Sequence, residues 1–168
     1  MSQAIARTIL PPLPFAPEDG APARIGVAQL ELYFSGSERR KEQGELFDLC
    51  FSKQDGTRVL PWRYDRCPHG ETLAPVALDE SGGMVASYAC QPRQVRFRGE
   101  HMGAGIVAQT GDVMTHPDLR SHGVFTDLHW NAMEVARERG WSAAWGLPNK
   151  FSGHIFFNKL GWQHAGHI

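Results

Sequence analysis

VMTHPDLRSHGVF, residues 113–125, sets the architecture of this chain, because it joins a predicted strand to a predicted helix through a short loop. Pro117 has no backbone N–H with which to continue a strand ladder, and the apolar residues from Val124 onward recur at helical spacing. A helix that begins here presents unpaired backbone N–H groups and the positive end of its dipole to the loop. Gly123 lets the backbone approach a bound group closely. The loop from Arg120 to Val124 is therefore a candidate site for a phosphate or a pyrophosphate.

The residues on either side of this stretch predict the order strand, helix, three or four strands, helix, strand, helix. An acidic and Gly-Gly turn joins two runs into an antiparallel hairpin, and Gly105 and Gly111 interrupt a long central strand that we expect to contain a bulge. The stretch 58–73, rich in aromatic residues and broken by prolines, predicts an irregular loop that packs and lines a pocket. The predicted strands are 25–34, 75–79, 84–91, 94–98, 104–117 and 141–145, and the predicted helices are one that ends near Lys53, one over 121–139 and one over 151–160.

Length and composition indicate one soluble globular domain with a proline-rich N-terminal arm. At 168 residues, with 42% hydrophobic and 21% charged residues, the chain is long enough to build a core without disulfides. We expect the arm at residues 1–24 and the domain at residues 25–168, because the prolines between residues 9 and 22 disfavour both helix and central strand. The 17 Lys and Arg residues against 18 Asp and Glu residues leave a net charge of -1. We therefore expect no nucleic-acid partner and no membrane partner.

The cysteines, the histidines and the N-terminus bear on metal binding and on the compartment. The three cysteines have no C-x-x-C spacing, and no carboxylate or cysteine completes a tetrahedral set around His116, His122 and His129. We therefore predict neither a disulfide framework nor a metal site. The N-terminal stretch lacks the apolar centre of a signal peptide, and no run reaches the length of about 18 apolar residues that a transmembrane helix needs. These features predict a cytoplasmic protein.

Two blocks of sequence carry a resemblance to a known family. The segment RSHGV, residues 120–124, matches the pattern [QR]-x-x-G-x-[GA], and Phe125 departs from its last position. The segment LPNKFSGHIFFNKLGW, residues 147–162, carries an Asn near its start and closes with Lys-Leu-Gly-aromatic. The first block resembles the acyl-CoA-binding motif of the GCN5-related N-acetyltransferases (GNAT), and the second is similar to a later helix of that family. The segment WRYDRCPHG, residues 62–70, is also similar to a W-x-Y-x-x-x-P-x-G element of longer members that modify sugars or envelope polymers.

The resemblance implies a fold and a reaction. The fold is a mixed α/β (α+β) domain, with a mostly antiparallel sheet flanked by helices and a central strand pair that splays apart. The reaction is the transfer of an acyl group to an amine of a small molecule or sugar, with acetyl-CoA as the expected donor. The amine attacks the thioester directly. Backbone groups of the long strand would pair with the pantetheine arm, the loop would hold the pyrophosphate, and an Asn would contact the same arm. The residues so implied are Met114, Thr115, His116, Arg120, Ser121, His122, Gly123, Val124, Phe125 and Asn149.

Alternation along the long strand gives candidates for the catalytic base. Asp112, Met114 and His116 fall on one face, and because an imidazole titrates near neutral pH, we name Asp112 and His116 as candidate bases. Structural hydrogen bonding at the strand end is the alternative for both. The family's general acid is often a Tyr three residues before the Leu of the second block, and here that position is Phe157.

Two other functions therefore stay open beside catalysis. Phe157 cannot donate a proton, so the first alternative is a non-catalytic acyl-CoA-binding or interaction module of the same fold. The second is an unrelated phosphate-binding α/β domain, although the sequence has no Walker A or G-x-G-x-x-G loop to support it. Turnover with acetyl-CoA separates the enzyme from the module, and affinity for a nucleotide rather than CoA would indicate the unrelated domain.

The edges of the sheet give two further expectations. Arg93, Arg96 and Arg98 predict a solvated edge strand whose charge prevents unwanted pairing. The family's sheet usually has two more strands after the Gly-aromatic pair at 161–162, and this sequence ends six residues later. We therefore expect the domain to lack most of those strands, and we expect the arm, a second subunit or further sequence to cover the exposed edge. A homodimer that completes the sheet and a shortened gene are the two explanations that we favour.

Overall fold

The chain folds around one five-stranded sheet. The computed structural model describes residues 29–33, 38–52, 54–97 and 103–166, and within these ranges the strands lie in the order β1-β2-β3-β4-β5. None of the helices in these ranges is long and apolar enough to cross a membrane. The elements in chain order are β1 (Gln29–Tyr33), α1 (Arg40–Phe51), α2 (Gly56–Leu60), a π-helical turn (Pro61–Asp65), β2 (Ala74–Leu78), β3 (Met84–Phe97), β4 (Gly103–Thr115), a 3-10 turn (Pro117–Leu119), α3 (Val124–Glu138), β5 (Ala143–Gly146) and α4 (Gly153–Asn158).

The strand directions give the mixed sheet that the sequence predicts. β1 to β4 are antiparallel neighbours, whereas β5 runs parallel to β4 from the pair Val107↔Ala143 to the pair Thr110↔Gly146. A parallel pair needs a long crossover connection, and α3 supplies it. β4 continues to Thr115, past the last of these pairs. The predicted splayed strand pair therefore consists of β4 and β5.

The predicted irregular loop over 58–73 is wrong in its first half, which is helical. α2 runs directly into the π-helical turn. Pro61 lacks the N–H that would continue the α-helical ladder, but its φ of −57° and ψ of −42° are helical values. The chain therefore continues past Pro61 as a wider helical turn instead of leaving the helix.

The predicted strand over 94–98 is wrong as a separate element, because β3 continues through Pro92 to Phe97. The bridge between Leu73 and Cys90 is the last contact on the β2 side. Within the described ranges, the part of β3 beyond this bridge pairs with β4 alone. An edge position of this kind tolerates the missing N–H of a proline.

The predicted bulge in the long strand is confirmed, and it lies at Asp112. Ser87 on β3 is opposite Met114, and Ala89 is opposite Gly111, so β4 carries one residue more than β3 across this interval. Asp112 has a φ of +47°, a left-handed conformation that is uncommon outside glycine. A bulge bends its strand and changes the direction in which the bulged side chain points. Asp112 is therefore the position where β4 departs from regular alternation.

Apolar side chains fill a core on each face of the sheet. The first core lies between the sheet and the helices α3 and α4, and the second lies between the sheet and α1, α2 and the π-helical turn. Alternation of side chains along the strands separates the two. The first core includes Leu73, Ala77, Ala86, Tyr88, Cys90, Ala108, Val124, Leu128, Ala132, Ala136, Phe156 and Leu160, and the second includes Leu46, Phe47, Leu60, Tyr64, Ala74, Val76, Leu78, Met84, Ala89 and Met114.

Two of the expectations lie beyond what these elements test. The proline-rich arm at 1–24 falls outside the described residues, and the boundary at residue 25 stays a prediction. β5 forms one edge of the described sheet, and the pairing of this edge with a second subunit also stays a prediction.

We predict that His129 lowers the stability of the domain in mild acid. His129 is 2% exposed, its Nδ1 lies 3.0 Å from Tyr88 Oη, and burial lowers its pKa from 6.5 to about 4. The unfolded chain therefore takes up a proton near pH 6.5 that the folded chain takes up only near pH 4, so stability falls as the pH drops through this window. Between pH 7.5 and pH 5 we expect a loss of about 2 kcal/mol from this one group.

Urea unfolding at the two pH values measures this loss. The variant His129→Gln cannot take up the proton, so its free energy of unfolding should depend less steeply on pH by about the same amount, ~2 kcal/mol. An unchanged pH dependence in the variant would contradict the assignment.

Candidate active site

The bulge in β4 places the Asp112 carboxylate against the π-helical turn. Both of its oxygens accept hydrogen bonds from Arg63 Nη1, at 2.6 and 2.5 Å, and Oδ2 also accepts one from Tyr64 Oη at 2.9 Å. The Asp112 side chain is 16% exposed and that of Arg63 is 34% exposed. Water and salt therefore screen this ion pair less than they screen a pair on an open surface.

The π-helical turn directs three neighbouring side chains to three different environments. Single π turns are uncommon in proteins, and those that occur often lie at functional sites. Tyr64 is fully buried, Trp62 is 66% exposed, and Arg63 lies between these extremes. Burial, and then the charge of Asp112, raise the pKa of Tyr64 well above its usual value. The phenol therefore stays protonated and donates to the carboxylate.

A buried polar network fixes this turn from the side of α1. Arg40 is 4% exposed and donates from Nε and Nη2 to Asp65 Oδ1, at 3.1 and 2.9 Å. Its guanidinium also lies over the Tyr64 ring, 4.9 Å from the centroid. Gln43 accepts a hydrogen bond from Arg40 and donates one to Ser87 Oγ at 2.5 Å. The network joins α1, the turn and β3, so it holds the donors of the carboxylate in place.

A cavity of about 310 Å³ opens beside the carboxylate, and we call it the Asp112 cavity. The π-helical turn and the strands β3 and β4 supply its lining. Its volume suits a small molecule. Its polar and aromatic lining includes Trp62, Arg63, Gln91, Arg93, Gln109 and Asp112.

β4 has an open edge beyond its last pair with β5. Within the described ranges, β5 pairs with β4 no further than Thr110. The N–H of His116 donates to Val85 O at 2.8 Å, and Ala86 is opposite Thr115. In an antiparallel ladder this pattern turns the backbone N–H and C=O of Thr115 away from β3. Of the three residues predicted to pair with pantetheine, Thr115 therefore faces the open edge. The prediction is wrong for Met114, whose backbone groups face Ser87 on β3, and the His116 N–H is also used inside the sheet.

His116 fixes the start of the loop that leads to α3. Its Nδ1 accepts a hydrogen bond from the Asp118 N–H at 3.3 Å and so caps the 3-10 turn. Arg120, which follows that turn, donates from Nε to Thr115 O at 3.4 Å. The His116 side chain is 35% exposed. Its Nδ1 lone pair is thus engaged by the backbone, although the ring itself is accessible.

The rest of the loop opens toward the N-terminus of α3. Ser121 and Gly123 have φ values of +70° and +83°, and His122 donates from Nδ1 to the carbonyl of Arg120 at 2.8 Å. No side chain caps the helix at Gly123, so its first N–H groups have no intrahelical partner. Turns of this kind with exposed N–H groups form concavities that bind anions. The residues 120–125 predicted to hold a pyrophosphate therefore lie together in one loop.

Phe125, which departs from the family pattern, does not crowd this loop. Its ring packs edge-on against Tyr88 and Phe156, with centroid distances of 5.8 and 5.4 Å. The ring is therefore part of the core between the sheet and α3 and α4. The position contributes its backbone N–H to the helix N-terminus, while its bulk is directed into the core.

Asn149 and Phe157, both in the segment 147–162, lie just before α4 and within it. Asn149 Oδ1 accepts hydrogen bonds from the N–H groups of Phe151 and Ser152, at 2.9 and 3.0 Å, and so organises the turn before the helix. Phe157 is 39% exposed, and its ring centroid lies 6.1 Å from that of His164. The predicted contact of Asn149 with pantetheine stays a prediction.

The prediction that the stretch 58–73 lines a pocket is confirmed by Trp62 and Arg63, which belong to the W-x-Y element noted in the sequence. Sequence reasoning missed the hydrogen bonds from Arg63 and Tyr64 to Asp112 and the polar lining from β3 and β4. The expectation that Arg93 belongs to a solvated edge is also wrong. Arg93 is half-buried and lines the cavity, whereas Arg96 is exposed.

Comparison with known proteins gives a family and a set of similar folds. The acetyltransferase (GNAT) domain family matches residues 36–165. Similar structures include an acetyltransferase from Trypanosoma brucei, 19% identical over 83% of this chain and 96% of that chain with a TM-score of 0.63. A predicted acetyltransferase from Clostridium acetobutylicum, solved with acetyl-CoA, is 13% identical over 83% and 94% with a TM-score of 0.66. Glucosamine-6-phosphate N-acetyltransferase from Arabidopsis thaliana is 12% identical over 82% and 95% with a TM-score of 0.60. No curated protein gives a significant match.

The family match covers about three quarters of the chain and includes every described helix. It spans the π-helical turn, the bulged strand, the loop before α3 and α4. The structural neighbours, at 12 to 19% identity, show the same fold. The chain therefore belongs to the GCN5-related (GNAT) family and is an acetyltransferase of that fold.

Proposed function

We propose that this chain transfers an acetyl group from acetyl-CoA to a primary amine of a small molecule. One observation carries the proposal: the open edge of β4, the uncapped N-terminus of α3 and the Asp112 cavity all adjoin the end of one strand. The first two suit a pantetheine arm and a pyrophosphate. The cavity suits the acceptor, because it is small and lined by polar groups.

The loop before α3 fits the phosphate groups of acetyl-CoA. A Cβ built on Gly123 meets nothing within 4 Å, so there is open space in front of the helix N-terminus. Phe125 leaves that space free, because its ring packs in the core. The Arg120 N–H donates to Pro117 O, and the Thr115 carbonyl accepts from Cys50 Sγ and Arg120 Nε. We propose that the N–H groups of residues 121–125 hold the pyrophosphate and that the N–H of Thr115 pairs with the pantetheine arm.

When bound, acetyl-CoA supplies the acetyl group as a reactive thioester. In the transfer, the amine nitrogen bonds to the carbonyl carbon and the C–S bond breaks. Starting from an ammonium group, the nitrogen gives one proton to water before it attacks and a second after the N–C bond forms, and the leaving thiolate gains one, so each turnover releases one proton. We expect most of the rate enhancement to come from holding the amine close to the thioester.

We propose that Asp112 binds and orients the amine. A carboxylate oxygen accepts about two hydrogen bonds, and Arg63 and Tyr64 supply two to Oδ2. Among donors in the described ranges, Oδ1 has Arg63 alone. It therefore keeps one acceptor position for an ammonium group in the cavity.

Neither His116 nor Phe157 is ready to transfer a proton. His116 Nδ1 must release the Asp118 N–H before it can accept a proton, so we propose that its first role is to hold the loop. Phe157 has no proton donor, and we propose that the leaving thiolate takes its proton from water. The same substitution favours one other function, a module that binds acetyl-CoA without turning it over.

Calorimetric titration with acetyl-CoA, with ATP as a phosphate-bearing control, tests the donor, and thiol release in the presence of primary amines tests the transfer. We expect binding of acetyl-CoA but not of ATP, followed by amine-dependent thiol release. Binding without release would favour the non-catalytic module. Failure of the folded protein to bind acetyl-CoA would overturn the proposal.

We predict that Gly123→Val lowers the affinity for acetyl-CoA at least about tenfold. A branched side chain at a φ of +83° strains the loop and covers the N–H groups of the helix N-terminus. Gly140→Val is the matched control, because Gly140 has a φ of +73°, has equally open space and lies just after the C-terminus of α3. Calorimetry should show weakened binding in the first variant alone. Equal affinities in the two variants would count against the loop as the phosphate site.

We predict that Asp112→Asn lowers kcat/KM for the amine about 100-fold and leaves the affinity for acetyl-CoA unchanged. The amide keeps the shape of the side chain, but it loses the charge-assisted hydrogen bond that Oδ1 offers to an ammonium group and leaves the positive charge of Arg63 unpaired beside it. Glu134→Gln is the control, because it also removes a carboxylate that pairs with an arginine, Arg137, on the surface of α3. Thiol-release kinetics should separate the two variants. Wild-type kcat/KM in Asp112→Asn would remove this residue from the active site.

A further inference from the structure

We propose that the acceptor is a primary amine that also carries an anionic group, a carboxylate or a phosphate, which Arg93 binds in the Asp112 cavity. The spacer between the amine and the anion is longer than that of an α-amino acid. This inference rests on the proposed function, because it treats the cavity as the acceptor site.

Arg93 is held in place by neutral partners. Its Nε donates to Gln109 Oε1 and its Nη2 donates to Gln91 Oε1, both at 2.6 Å. Its Nη1 donates to Cys67 Sγ and Pro92 O, both at 3.2 Å. These bonds fix the guanidinium before a ligand arrives, so little side-chain freedom is lost on binding.

The positive charge of Arg93 is not neutralised by the described part of the chain, where no carboxylate forms a salt bridge with it. Arg63 and Asp112, the other two charged residues that line the cavity, neutralise each other. The cavity thus has a net positive charge. This charge favours a ligand with an anionic group and disfavours a polyamine.

Donors remain for such an anion. A guanidinium has five N–H groups, and the four bonds of Arg93 leave one N–H on Nη2 without an acceptor in the described ranges. Gln109 also lines the cavity, and its Oε1 accepts from Arg93, while its NH₂ group has no acceptor within the described ranges. The free Arg93 N–H and this amide are the two donors that a carboxylate or phosphate in the cavity can use.

The strand register gives the spacing between the two ends of the ligand. Arg93 is bonded to Gln109, and Asp112 lies three residues further along β4. At about 3.3 Å per residue, the two groups are about 10 Å apart along the strand. After a hydrogen bond of about 3 Å at each end, about 4 Å remain between the amine nitrogen and the anionic group. In an α-amino acid the nitrogen lies only about 2.5 Å from the carboxyl carbon.

The wall of the cavity suits the spacer of such a molecule. Trp62 lines the cavity and is 66% exposed. An exposed indole offers an apolar face to a carbon chain or a sugar ring, and the same face attracts an ammonium group. Arg93, Trp62 and Asp112 therefore provide one contact each for the anion, the spacer and the amine.

Four amines with the same three-carbon spacer test the proposal: 4-aminobutanoate, 3-aminopropyl phosphate, propylamine and 1,3-diaminopropane, with glycine as a shorter anionic amine. Their kcat/KM values are measured by thiol release at saturating acetyl-CoA. We expect at least one of the two anionic three-carbon amines to exceed propylamine about tenfold. The diamine should fall below propylamine, and glycine should fall below 4-aminobutanoate. The better of the two anionic amines distinguishes a carboxylate ligand from a phosphate ligand.

Variants of Arg93 connect the preference to this residue. Arg93→Gln should remove the advantage of the anionic amines, and Arg93→Lys, which keeps the charge, should retain part of it. Arg96→Gln is the matched control, because Arg96 is exposed on the same strand outside the cavity lining, and it should leave the advantage unchanged. Circular dichroism and calorimetry with acetyl-CoA show that each variant folds and binds the donor.

The inference and the proposed function fail in different ways. Acetylation of propylamine or the diamine as efficiently as the anionic amines, or an unchanged preference in Arg93→Gln, would overturn the inference and leave acetyl transfer standing. If acetyl-CoA binds but no amine is acetylated, the CoA complex is titrated calorimetrically with the same amines, and tighter binding of an anionic amine than of propylamine supports the inference. If acetyl-CoA does not bind, the proposed function fails, and titration of the protein alone decides in the same way whether the cavity selects anionic amines.

Discussion

One extra residue in β4 turns the Asp112 carboxylate toward Arg63 and Tyr64, and this contact ties the middle of the sheet to the π-helical turn. The same bulge lies just past Thr110, where the pairing of β4 with β5 ends. One local irregularity thus lies beside both the open edge of β4 and the Asp112 cavity. A regular strand would alternate through this point, and its partners would have no carboxylate to bind.

The fixed geometry of the cavity comes from polar groups that are satisfied before any ligand arrives. Arg40 and Gln43 connect the π-helical turn to α1 and β3, and two glutamines orient Arg93. Buried polar groups are tolerated when their hydrogen bonds are made, and a fully bonded network rigidifies its surroundings. Side chains held in this way lose little freedom on binding, which favours a site that recognises a ligand by charge and spacing.

The departures from the family pattern have different consequences. Phe125 replaces a small residue of the motif, but its ring packs with Tyr88 and Phe156, so the loop keeps the open space in front of the helix N-terminus. Phe157 replaces a frequent proton donor and is partly exposed beside His164. The first departure places a ring in the core and leaves the loop before α3 open, whereas the second removes a phenol from a partly exposed position on α4.

The sequence by itself determined the family, most of the elements and the loop before α3, because periodicity, turn residues and short motifs are local properties. It also indicated a bulge, since Gly111 interrupts an otherwise regular strand. Only the tertiary structure decided where that bulge directs its side chain and which residues meet it. Arg63 and Tyr64 are 49 and 48 positions from Asp112. Arg93 lines a cavity instead of a solvated edge, because residues of the π-helical turn form part of the same lining. Contacts over such distances depend on how helices and strands pack, and no local pattern encodes that packing.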